Sequence, residues 1–481
     1  MPSSVKKPNL VSVTTINRDG SHFVLHPADV SGVFTRWRRL FGLFLLLVYI
    51  ALPWIPVNGH PAVFFDLVER RFHFFGLTFL TPDLWIAFFL ITGLGFGLFY
   101  VTALFGRLWC GWACPYTVFL EHVFRRIERW TDGDAPARRA LDRAPWNGSK
   151  IARRLLKHGL YLLCSALIAH IFLSYFVSLE RLYGYMRGSP LEHVQAFGVV
   201  LFLTAVLYFC FAWFREQFCI VMCPYGRIQS ALTDDDTLVI GYDAARGEPR
   251  GKATDPTKGD CIACHRCVQV CPTGIDIRNG LQLECIGCSA CIDACDNIMD
   301  KVGRPRGLIR YDSLRGLAGQ ATRWVRPRTV LYSALLALGM AVFGISLTTL
   351  HDVDLSITRM GDQAYYIDDG LVRNHYQVRA STKRNRPTTF SVDIVGLPPA
   401  FQTSGWNDPQ PVPAQGEILK PLIISVPEAD FTGDLTLTVR SRSQPGGTEI
   451  TEDIQFVGPD IRFFRKPQPL KNSPPLLKTE P

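Results

Sequence analysis

The sequence predicts a polytopic α-helical membrane protein with a cysteine-rich insertion and a C-terminal antiparallel β-sandwich. Three observations support this fold class: five apolar windows without charged residues, eight cysteines in two matched runs, and a tail of alternating apolar and polar residues. By length alone, 481 residues would suggest roughly three soluble domains of about 150 residues each. The apolar windows argue against a soluble protein.

Each apolar window is long enough to cross a bilayer, which takes about 20 helical residues. The windows are Leu40–Gly59, Leu84–Gly106, Gly159–Leu179, Val194–Phe214 and Thr329–Leu350. The first is not a signal peptide, because it lies deep in the chain, lacks a clean small-residue cleavage site and is longer than a signal h-region. We therefore expect four transmembrane helices within residues 39–214 and a fifth at 329–350.

The distribution of Lys and Arg predicts the orientation of these spans. Residues 1–38, the loop after the second span and residues 215–328 are rich in both, whereas the remaining two loops hold only two arginines each. Because positively charged loops stay in the cytoplasm, residues 1–38 and 215–328 are expected inside and residues 351–481 outside. The net charge of +9 then reflects topology and contact with the lipid bilayer. Nucleic-acid binding is not expected, since no recognition motif accompanies the charge.

The segments between and after the spans have distinct patterns. Residues 60–83 mix aromatic and charged side chains and are expected to lie along the outer interface. Residues 116–130 follow a proline and carry apolar residues at helical spacing, which predicts an amphipathic helix on the inner membrane surface. From Asp354 onward, short stretches alternate apolar and polar residues between Pro, Gly and Asn, as in the strands of a sandwich. A disordered tail is expected at the end.

Two cysteine runs lie between the fourth and fifth windows. Residues 261–272 read CIACHRCVQVCP, and residues 285–295 read CIGCSACIDAC. Their Cys-x2-Cys-x2-Cys-x3-Cys spacing is typical of bacterial ferredoxins, in which the fourth cysteine of each run binds the other cluster. The pattern predicts two [4Fe–4S] clusters in a ferredoxin domain at about 255–300, and hence an electron relay. A pair of zinc sites is the alternative, which fits two matched four-cysteine runs poorly.

The spacing also predicts the ligands of each cluster. For cluster one they are Cys261, Cys264, Cys267 and Cys295. For cluster two they are Cys271, Cys285, Cys288 and Cys291. All fourteen cysteines of the chain precede Asp296, so none falls in the tail that is expected outside. That distribution is the opposite of a disulfide framework, because disulfides persist in oxidising compartments.

The motif Cys-x3-Cys-Pro-Tyr occurs twice, as CGWACPY at residues 110–116 and CIVMCPY at residues 219–225, each after an apolar window. Residues i and i+4 of a helix lie about 5–6 Å apart on one face, and the proline is expected to end the helix at the second cysteine. Four thiols are therefore expected at the inner face beside the ferredoxin domain. They belong to Cys110, Cys114, Cys219 and Cys223.

Soft thiolates favour Cu(I), zinc or iron–sulfur clusters, so these four cysteines are candidates for a metal site. The alternative is that they are small buried residues at helix ends. Repetition of the spacing and of Pro-Tyr argues against that alternative. An arginine stands just ahead of each motif, at Arg107 and Arg215. Cys164 and Cys210 lie inside spans without a matched partner and are interpreted as packing residues.

From about Arg36 to Val457, this combination of motifs resembles the CcoG/FixG (RdxA-type) family of cytochrome c oxidase accessory proteins. The resemblance implies a cupric reductase that supplies Cu(I) to the copper site of cbb3-type oxidases. Copper would be the substrate, facing the four catalytic span-end cysteines. The C-terminal domain would be immunoglobulin-like and periplasmic, the ferredoxin domain cytoplasmic, and the protein a multi-pass protein of the bacterial inner membrane. Asp296 departs from the pattern, since it replaces the second proline.

The resemblance also implies partners, namely assembly factors of cbb3-type oxidases or a copper transporter or chaperone, and it leaves the electron donor open. Two other functions remain possible at this point. Quinol-oxidising electron-transfer subunits of the NapH type share the paired motif and the ferredoxin clusters, but they generally lack an outer sandwich. A scaffold for oxidase assembly, with purely structural clusters, is the third interpretation.

Overall fold

A computed structural model describes residues 24–67, 70–80, 83–348 and 351–460. The expected N-terminal arm up to residue 23, the expected disordered tail from residue 461 and the last two residues of the fifth window lie outside the described residues. The chain divides into two compact units, Met1–Thr348 and Thr349–Pro481.

The first unit is mainly helical. Its helices are α1 (Val33–Ala51), α2 (Leu84–Phe105), α3 (Leu108–Trp112), α4 (Pro115–Phe119), α5 (Arg125–Thr131), α6 (Ala135–Arg143), α7 (Gly148–Leu173), α8 (Leu179–Arg187), α9 (Val194–Phe209), α10 (Pro224–Leu232), α11 (Ala244–Gly247), α12 (Arg266–Gln269), α13 (Ala290–Lys301), α14 (Leu314–Leu317) and α15 (Pro327–Thr348). Three π-helical segments occur at Leu120–Phe124, Cys210–Phe214 and Phe218–Met222.

Five of these helices are long and apolar enough to span a membrane, as the fold class requires. They are α1, α2, α7, α9 with its π-helical continuation, and α15. Helix α15 packs against α2, and α9 packs against α7. At most 22% of the residues in any span are buried inside the protein, so most of their apolar side chains face outward. The chain is an integral membrane protein.

Three spanning helices begin earlier than the charge-free windows, α15 only slightly, at Pro327, and α1 and α7 by more than one turn. Helix α1 begins at Val33 and α7 at Gly148, so both start with turns that carry Arg or Lys. A charge-free window marks only the hydrocarbon part of a helix, whereas the first turns of α7 continue into the polar region. The side chain of Asn147 caps that helix by accepting a hydrogen bond from Lys150 N at 2.8 Å.

The connections contain more secondary structure than the sequence patterns indicate. Within the segment 60–83, three strands form an antiparallel sheet: β3 (Val63–Asp66), β4 (Arg71–Phe74) and β5 (Leu77–Phe79). The short strands β1 (Pro56–Val57) and β2 (His60–Pro61) pair just before it. The expected amphipathic helix at 116–130 is formed by α4, a π-helical segment and α5. It buries Phe124 and Ile127 and exposes Trp130.

A pair of strands encloses the cysteine-rich segment. Strand β6 (Val239–Tyr242) precedes it, β7 (Ile309–Asp312) follows it, and the two pair antiparallel. Between them, the segment packs its apolar side chains into a small core that includes Ile240, Ile277 and Met299. The cysteine runs are therefore held by a closed loop of chain.

The second unit is a sandwich of two antiparallel sheets. One has the strand order β12-β14-β10-β8, with β9 also on β10, and the other has the order β13-β11-β15-β16. The strands are β8 (Val353–Arg359), β9 (Tyr366–Asp368), β10 (Leu371–Thr382), β11 (Thr388–Val395), β12 (Gln402–Ser404), β13 (Gln410–Val412), β14 (Glu417–Pro427), β15 (Leu435–Gln444) and β16 (Thr448–Phe456). Alternate residues of both sheets meet in a core around Phe390, Val439 and Phe456. This is the sandwich that the alternating tail predicts.

Candidate iron–sulfur and copper-facing thiol sites

The two cysteine runs fold into loops of the same shape. In each run, the residues two and four positions after the first cysteine have left-handed backbone. They are Ala263 and His265 in the first run, and Gly287 and Ser289 in the second. Repeated left-handed residues curl the chain tightly, so that several cysteines of one run point toward one centre. Three of the four positions are not glycine, which sequence patterns for turns would not have identified.

Each loop encloses a cavity lined by one of the two predicted sets of four cysteines. One cavity is lined by Cys261, Cys264, Cys267 and Cys295. A second cavity is lined by Cys271, Cys285, Cys288 and Cys291, and it also touches Cys267. In both cavities the fourth cysteine comes from the other run, as the ferredoxin spacing predicts.

Each cavity is lined by four cysteines drawn from both runs, which suits a cubane cluster because such a cluster carries its thiolates on four separate irons. Among the described residues, no group of three or more His, Cys, Asp or Glu side chains is arranged to hold one metal ion. Burial raises the pKa of Cys285 and of Cys295 to about 12, so their thiolates need a bound metal to be stable here.

Asp296, the residue in place of the second proline, does not disturb the second run. Helix α13 continues through this position, so no turn is needed there. The Asp296 carboxylate accepts a hydrogen bond from Gly307 N at 3.0 Å and thereby ties α13 to the chain that follows it.

The two Cys-x3-Cys-Pro-Tyr motifs also share one backbone conformation. The chain leaves the second span at Gly106 with φ 56° and ψ −127°, and the fourth span at Arg215 with φ 48° and ψ −126°. Each of these residues lies four positions before the first cysteine of its motif. The spans thus end before the motifs, and each first cysteine lies on a short separate helical turn rather than on the span itself.

The prolines act as the sequence predicts. Cys114 and Cys223 precede Pro115 and Pro224, and both cysteines are extended, with ψ of 122° and 110°. Each stands at the start of a new helix, α4 or α10. The second cysteine of each pair therefore lies just beyond the helical turn that carries the first, and the pair does not share one continuous helix face.

The two tyrosines join the halves of the repeat crosswise. Tyr116 of the first motif donates to the carbonyl oxygens of Cys210 at 3.0 Å and Arg215 at 2.5 Å, at the end of the fourth span. The hydroxyl of Tyr225 in the second motif is hydrogen-bonded to Thr102 Oγ1, at 2.5 Å, near the end of the second span. Each tyrosine thus binds the span that precedes the other motif, which explains why Pro-Tyr accompanies both cysteine pairs.

The arginines ahead of the motifs are not equivalent. Arg215 corresponds to Gly106, not to Arg107, because Arg215 and Gly106 share nearly the same backbone angles and the same distance in sequence from the first cysteine. The Arg107 guanidinium donates to the carbonyl oxygens of Leu283, before the second cysteine run, and Gly226, just after the second motif. Arg107 therefore holds the first motif against the second motif and against residues 283–291, which carry three of the four cysteines of the second run and are called the cluster-two loop.

Arg215 instead belongs to a buried group of charges. Its Nη1 lies 2.6 Å from Glu128 Oε1, while Arg138 Nη1 lies 3.2 Å from Glu128 Oε2 and Tyr161 donates to Glu128 at 3.0 Å. Burial raises the pKa of Glu128, but Arg215, then Arg125 and Lys157, bring it down to about 2. Glu128 is therefore ionised, and it fixes α5 to the end of the fourth span.

The first motif lies directly against the cluster-two loop. A side chain on Gly111 would come within 2.6 Å of Ile286 O and 2.9 Å of the Cys288 backbone, so only glycine allows this approach. Cys110 packs in the same apolar cluster as Cys288. The candidate copper-facing thiols and the proposed ligands of cluster two are thus neighbours.

The four span-end thiols influence one another. Burial, followed by the neighbouring thiols of Cys114, Cys110 and Cys223, raises the pKa of Cys219 to about 12. Burial raises the pKa of Cys110 to about 11, and Gln229 Nε2 donates to its sulfur at 3.5 Å. The cysteines are partly exposed rather than fully enclosed. The remaining two, Cys164 and Cys210, lie in spans, where Cys164 packs against the apolar cluster around Phe124.

Comparison with known proteins identifies three matching family models. One, described as a 4Fe-4S dicluster domain, matches residues 214–314. A second, described as a 4Fe-4S binding domain, matches residues 84–132, which contain only Cys110 and Cys114. The third, described as an IG-like fold at the C-terminus of FixG, matches residues 343–459.

Curated relatives match most of the chain. Protein RdxA of Cereibacter sphaeroides is 36% identical over 448 residues, which cover 88% of this chain and 94% of that protein. Nitrogen fixation protein FixG of Rhizobium meliloti is 35% identical over 422 residues, covering 78% of this chain and 80% of that protein. A FixG-related protein from Vibrio parahaemolyticus, known from a crystal structure, is 16% identical and covers 22% of this chain and 97% of its own, with a TM-score of 0.21, which is too low to carry an argument.

Proposed function

Because the chain belongs to the FixG/RdxA family of membrane iron–sulfur electron-transfer proteins, we propose that it reduces Cu(II) to Cu(I) at the four span-end cysteines, for insertion into a cbb3-type oxidase. The observation that carries this proposal is the direct packing of Cys110 and Gly111 against the loop of Cys288. An electron acceptor bound at the motif thiols would then lie next to cluster two.

The two cysteine-lined cavities support the assignment of cluster ligands. Cluster one would be held by Cys261, Cys264, Cys267 and Cys295, and cluster two by Cys271, Cys285, Cys288 and Cys291. Bound there, the clusters would supply one-electron transfer. The protein would bury the clusters and bind them through deprotonated cysteines. Arg107 would hold the cluster-two loop against the first motif.

The span-end thiols suit copper as a substrate rather than as a permanent structural metal. Soft thiolates favour Cu(I) over Cu(II), so binding at these thiols would make Cu(II) easier to reduce. The thiols are partly exposed and come from two separate helix junctions, which permits access and release. The other three span-end thiols all raise the pKa of Cys219, so the four lie close to one another, which supports a common site.

The proposed orientation places the chemistry in the cytoplasm. The positively charged segments put the ferredoxin domain and both motifs inside and the immunoglobulin-like unit in the periplasm of a bacterial inner membrane. The outer sandwich would then dock an oxidase assembly factor or a copper transporter or chaperone. Its match to the family model of the IG-like fold at the C-terminus of FixG, which is described as a putative oxidoreductase, supports a role for this unit in a redox protein.

The experiment that tests this function compares Cu(I) binding and oxidase maturation in two variants. In the first, Cys110, Cys114, Cys219 and Cys223 are replaced by Ser, which keeps the size but loses the soft ligand. In the matched control, Cys164→Ser and Cys210→Ser alter the span cysteines only. We expect the fourfold variant to bind Cu(I) at least about 100-fold more weakly, since even loss of outer-shell partners costs about 10–100-fold.

In cells, the fourfold variant should lower cbb3 oxidase activity most when copper is scarce, and added copper should partly restore it by mass action. Iron content and membrane insertion should match those of the control. Normal copper binding together with normal oxidase activity in the fourfold variant would contradict the proposed site. If a variant that has lost its clusters still supports full oxidase assembly, the protein acts as a scaffold rather than as a reductase.

A second candidate function, oxidation of quinol, is favoured by one specific observation. A small, largely apolar cavity of about 40 Å³ lies between Phe105 at the end of the second span, Gln229 and Cys285. It lies beside cluster two and the membrane, where a quinol ring would have to bind. If this function is correct, replacing Phe105 with a larger Trp should abolish quinol-dependent reduction of the clusters and leave copper reduction by dithionite-reduced protein unchanged.

A further inference from the structure

A cavity rich in arginine lies on the other side of the first motif, between α1, α5 and the cluster-two loop. It has a volume of about 100 Å³, and its walls carry six arginines but only two carboxylates, those of Asp29 and Glu121. The arginines are Arg38, Arg39, Arg125, Arg126, Arg129 and Arg138. Such an excess of positive charge in a concave site is unusual unless an anion occupies it.

The two carboxylates do not neutralise the cavity. Asp29 pairs with Arg129 at 2.9 Å, and Glu121 pairs with Arg125 and lies 3.6 Å from Arg38. Behind the wall, Arg125 also pairs with Glu216 and Arg138 pairs with Glu128, each at 3.2 Å. Arg39 and Arg126 make no ion pair at salt-bridge distance within the described residues. Burial, and after it the neighbouring charge of Arg39, lower the pKa of Arg126.

Several donors on the cavity walls also lack acceptors. Among the residues that the structure describes, Arg38 Nη2, Arg125 Nε and Arg138 Nε are buried without a hydrogen-bond partner. These side chains are only 8%, 8% and 4% exposed, so solvent does not readily satisfy them. A buried donor without an acceptor costs free energy, and three of them around one charged cavity point to a missing acceptor.

We propose that this cavity binds a phosphate-bearing anion, either the headgroup phosphate of an anionic lipid or a soluble phosphate group. Guanidinium groups bind phosphate through paired, charge-assisted hydrogen bonds, and phosphate oxygens can accept from several arginines at once. Arg38 and Arg39 directly precede the charge-free part of α1, which begins at Leu40, so a lipid headgroup at the end of this span would be able to reach the cavity. The proposal does not depend on the copper chemistry.

The anion would lie close to the electron-transfer site. Arg38, on the cavity wall, donates through Nε to Gly111 O at 2.7 Å, within the first motif. Val270, Pro272 and Ala290 of the cysteine-rich segment form another part of the wall. A bound phosphate therefore holds α1, α5 and the cluster-two loop together.

The test uses full-length protein, purified with its clusters in dodecyl maltoside, a detergent that carries no phosphate. Binding of radiolabelled inorganic phosphate is measured by equilibrium dialysis, and retained phospholipid by native mass spectrometry. The variant Arg39→Gln/Arg126→Gln removes two charges from the cavity. The control Arg36→Gln/Arg153→Gln removes two charges from exposed arginines outside it. Equal iron content and melting temperature in both variants verify that they fold.

We expect one phosphate per wild-type or control chain, and at least about tenfold weaker binding by the cavity variant, which is about 1.4 kcal/mol. If added phosphatidylglycerol displaces the phosphate, or binds in its place, the occupant is a lipid headgroup. If the lipid leaves phosphate binding unchanged, the occupant is soluble. The proposal is overturned if the wild type binds neither probe, or if the cavity variant binds them as well as the control does.

Discussion

A single side chain, Arg107, connects the three parts of the site. Its guanidinium reaches the carbonyl oxygens of Leu283 and Gly226, and its own carbonyl oxygen lies against Gly287. The planar fork of an arginine can serve two acceptors in fixed directions, whereas a lysine ammonium is a compact point charge. Arg107 thus positions the cluster-two loop relative to both motifs.

Replacing Arg107 with Lys should therefore loosen the cluster-two loop without removing the charge. A hydrogen bond from a charged group is worth about 1.5–3 kcal/mol, so losing one of the two should lower stability by about that amount. The measurement is the melting temperature together with the iron retained after brief exposure to air. Arg36→Lys, at an exposed position, is the matched control. Equal iron retention in the two variants would show that Arg107 does not hold the loop.

At the scale of single residues, the sequence predicts which cysteines line each cavity, but it does not predict side-chain contacts between residues far apart in the chain. The spacing of the cysteines predicts both sets that line the two cavities, because a cluster fixes how far apart its ligands lie along the chain. The roles of Arg107 and Arg215 could not be predicted in this way. Their partners lie far away in sequence, and the backbone equivalence of Gly106 and Arg215 is concealed by the difference between a glycine and an arginine.

At the scale of elements, the junctions after the second and fourth spans form an internal repeat with crossed contacts. Tyr116 and Tyr225 each bind the other half, and Arg215 adds an ion pair with Glu128 in α5. Arg215 holds a backbone conformation with φ 48° that favours glycine, so its side-chain contacts must offset strain. This junction depends on a buried charge pair.

Replacing Arg215 with Ala should strongly destabilise the first unit. It leaves Glu128 buried with Arg138 as its remaining nearby ion-pair partner, and breaking such a pair costs about 3–5 kcal/mol. Chemical unfolding in mixed micelles measures the change in the free energy of unfolding. The control Arg306→Ala breaks the exposed pair with Asp300 and should leave the free energy of unfolding nearly unchanged.

The double variant Arg215→Ala/Glu128→Gln extends this test. Because it removes both charges, it should recover part of the stability that Arg215→Ala loses. If Arg215→Ala is no less stable than Arg306→Ala, the buried pair does not support the junction.

At the scale of the whole molecule, composition and periodicity were sufficient for the architecture. Charge-free windows identify the spans, and alternation from Asp354 onward identifies the sandwich, since both patterns report directly on burial. The same signals missed the sheet at Val63–Phe79 and the helix Ala135–Arg143, because these elements are short and contain few periodic residues. The basic cavity was also missed, since its arginines are distributed over three separate segments.

The proposed orientation makes a prediction for reporter fusions. The positive-inside pattern predicts that the loop of Thr257 lies in the cytoplasm and that Gly458, after the last strand of the sandwich, lies in the periplasm. Alkaline phosphatase, which works only in the periplasm, should be active when fused after Gly458 and inactive after Thr257. Green fluorescent protein exported through the same route should show the opposite pattern. Activity in the reverse sense would overturn the orientation and move the proposed copper chemistry to the outer face.

The most direct test of the central claim, that electrons pass from the clusters to copper at the span-end thiols, is a single-turnover oxidation. Protein reduced with dithionite and freed of excess reductant is mixed anaerobically with Cu(II), and the EPR signal of the reduced clusters is followed together with Cu(I) formation. Wild type and the Cys164→Ser/Cys210→Ser control should lose one cluster electron for each Cu(I) formed.

The variant with Ser at Cys110, Cys114, Cys219 and Cys223 should keep about eight irons, as two cubane clusters require, and reoxidise at least about tenfold more slowly. About four irons fewer in this variant than in wild type would mean that the span-end thiols hold a further cluster. Reoxidation by Cu(II) at the wild-type rate, with full iron content, would contradict the account.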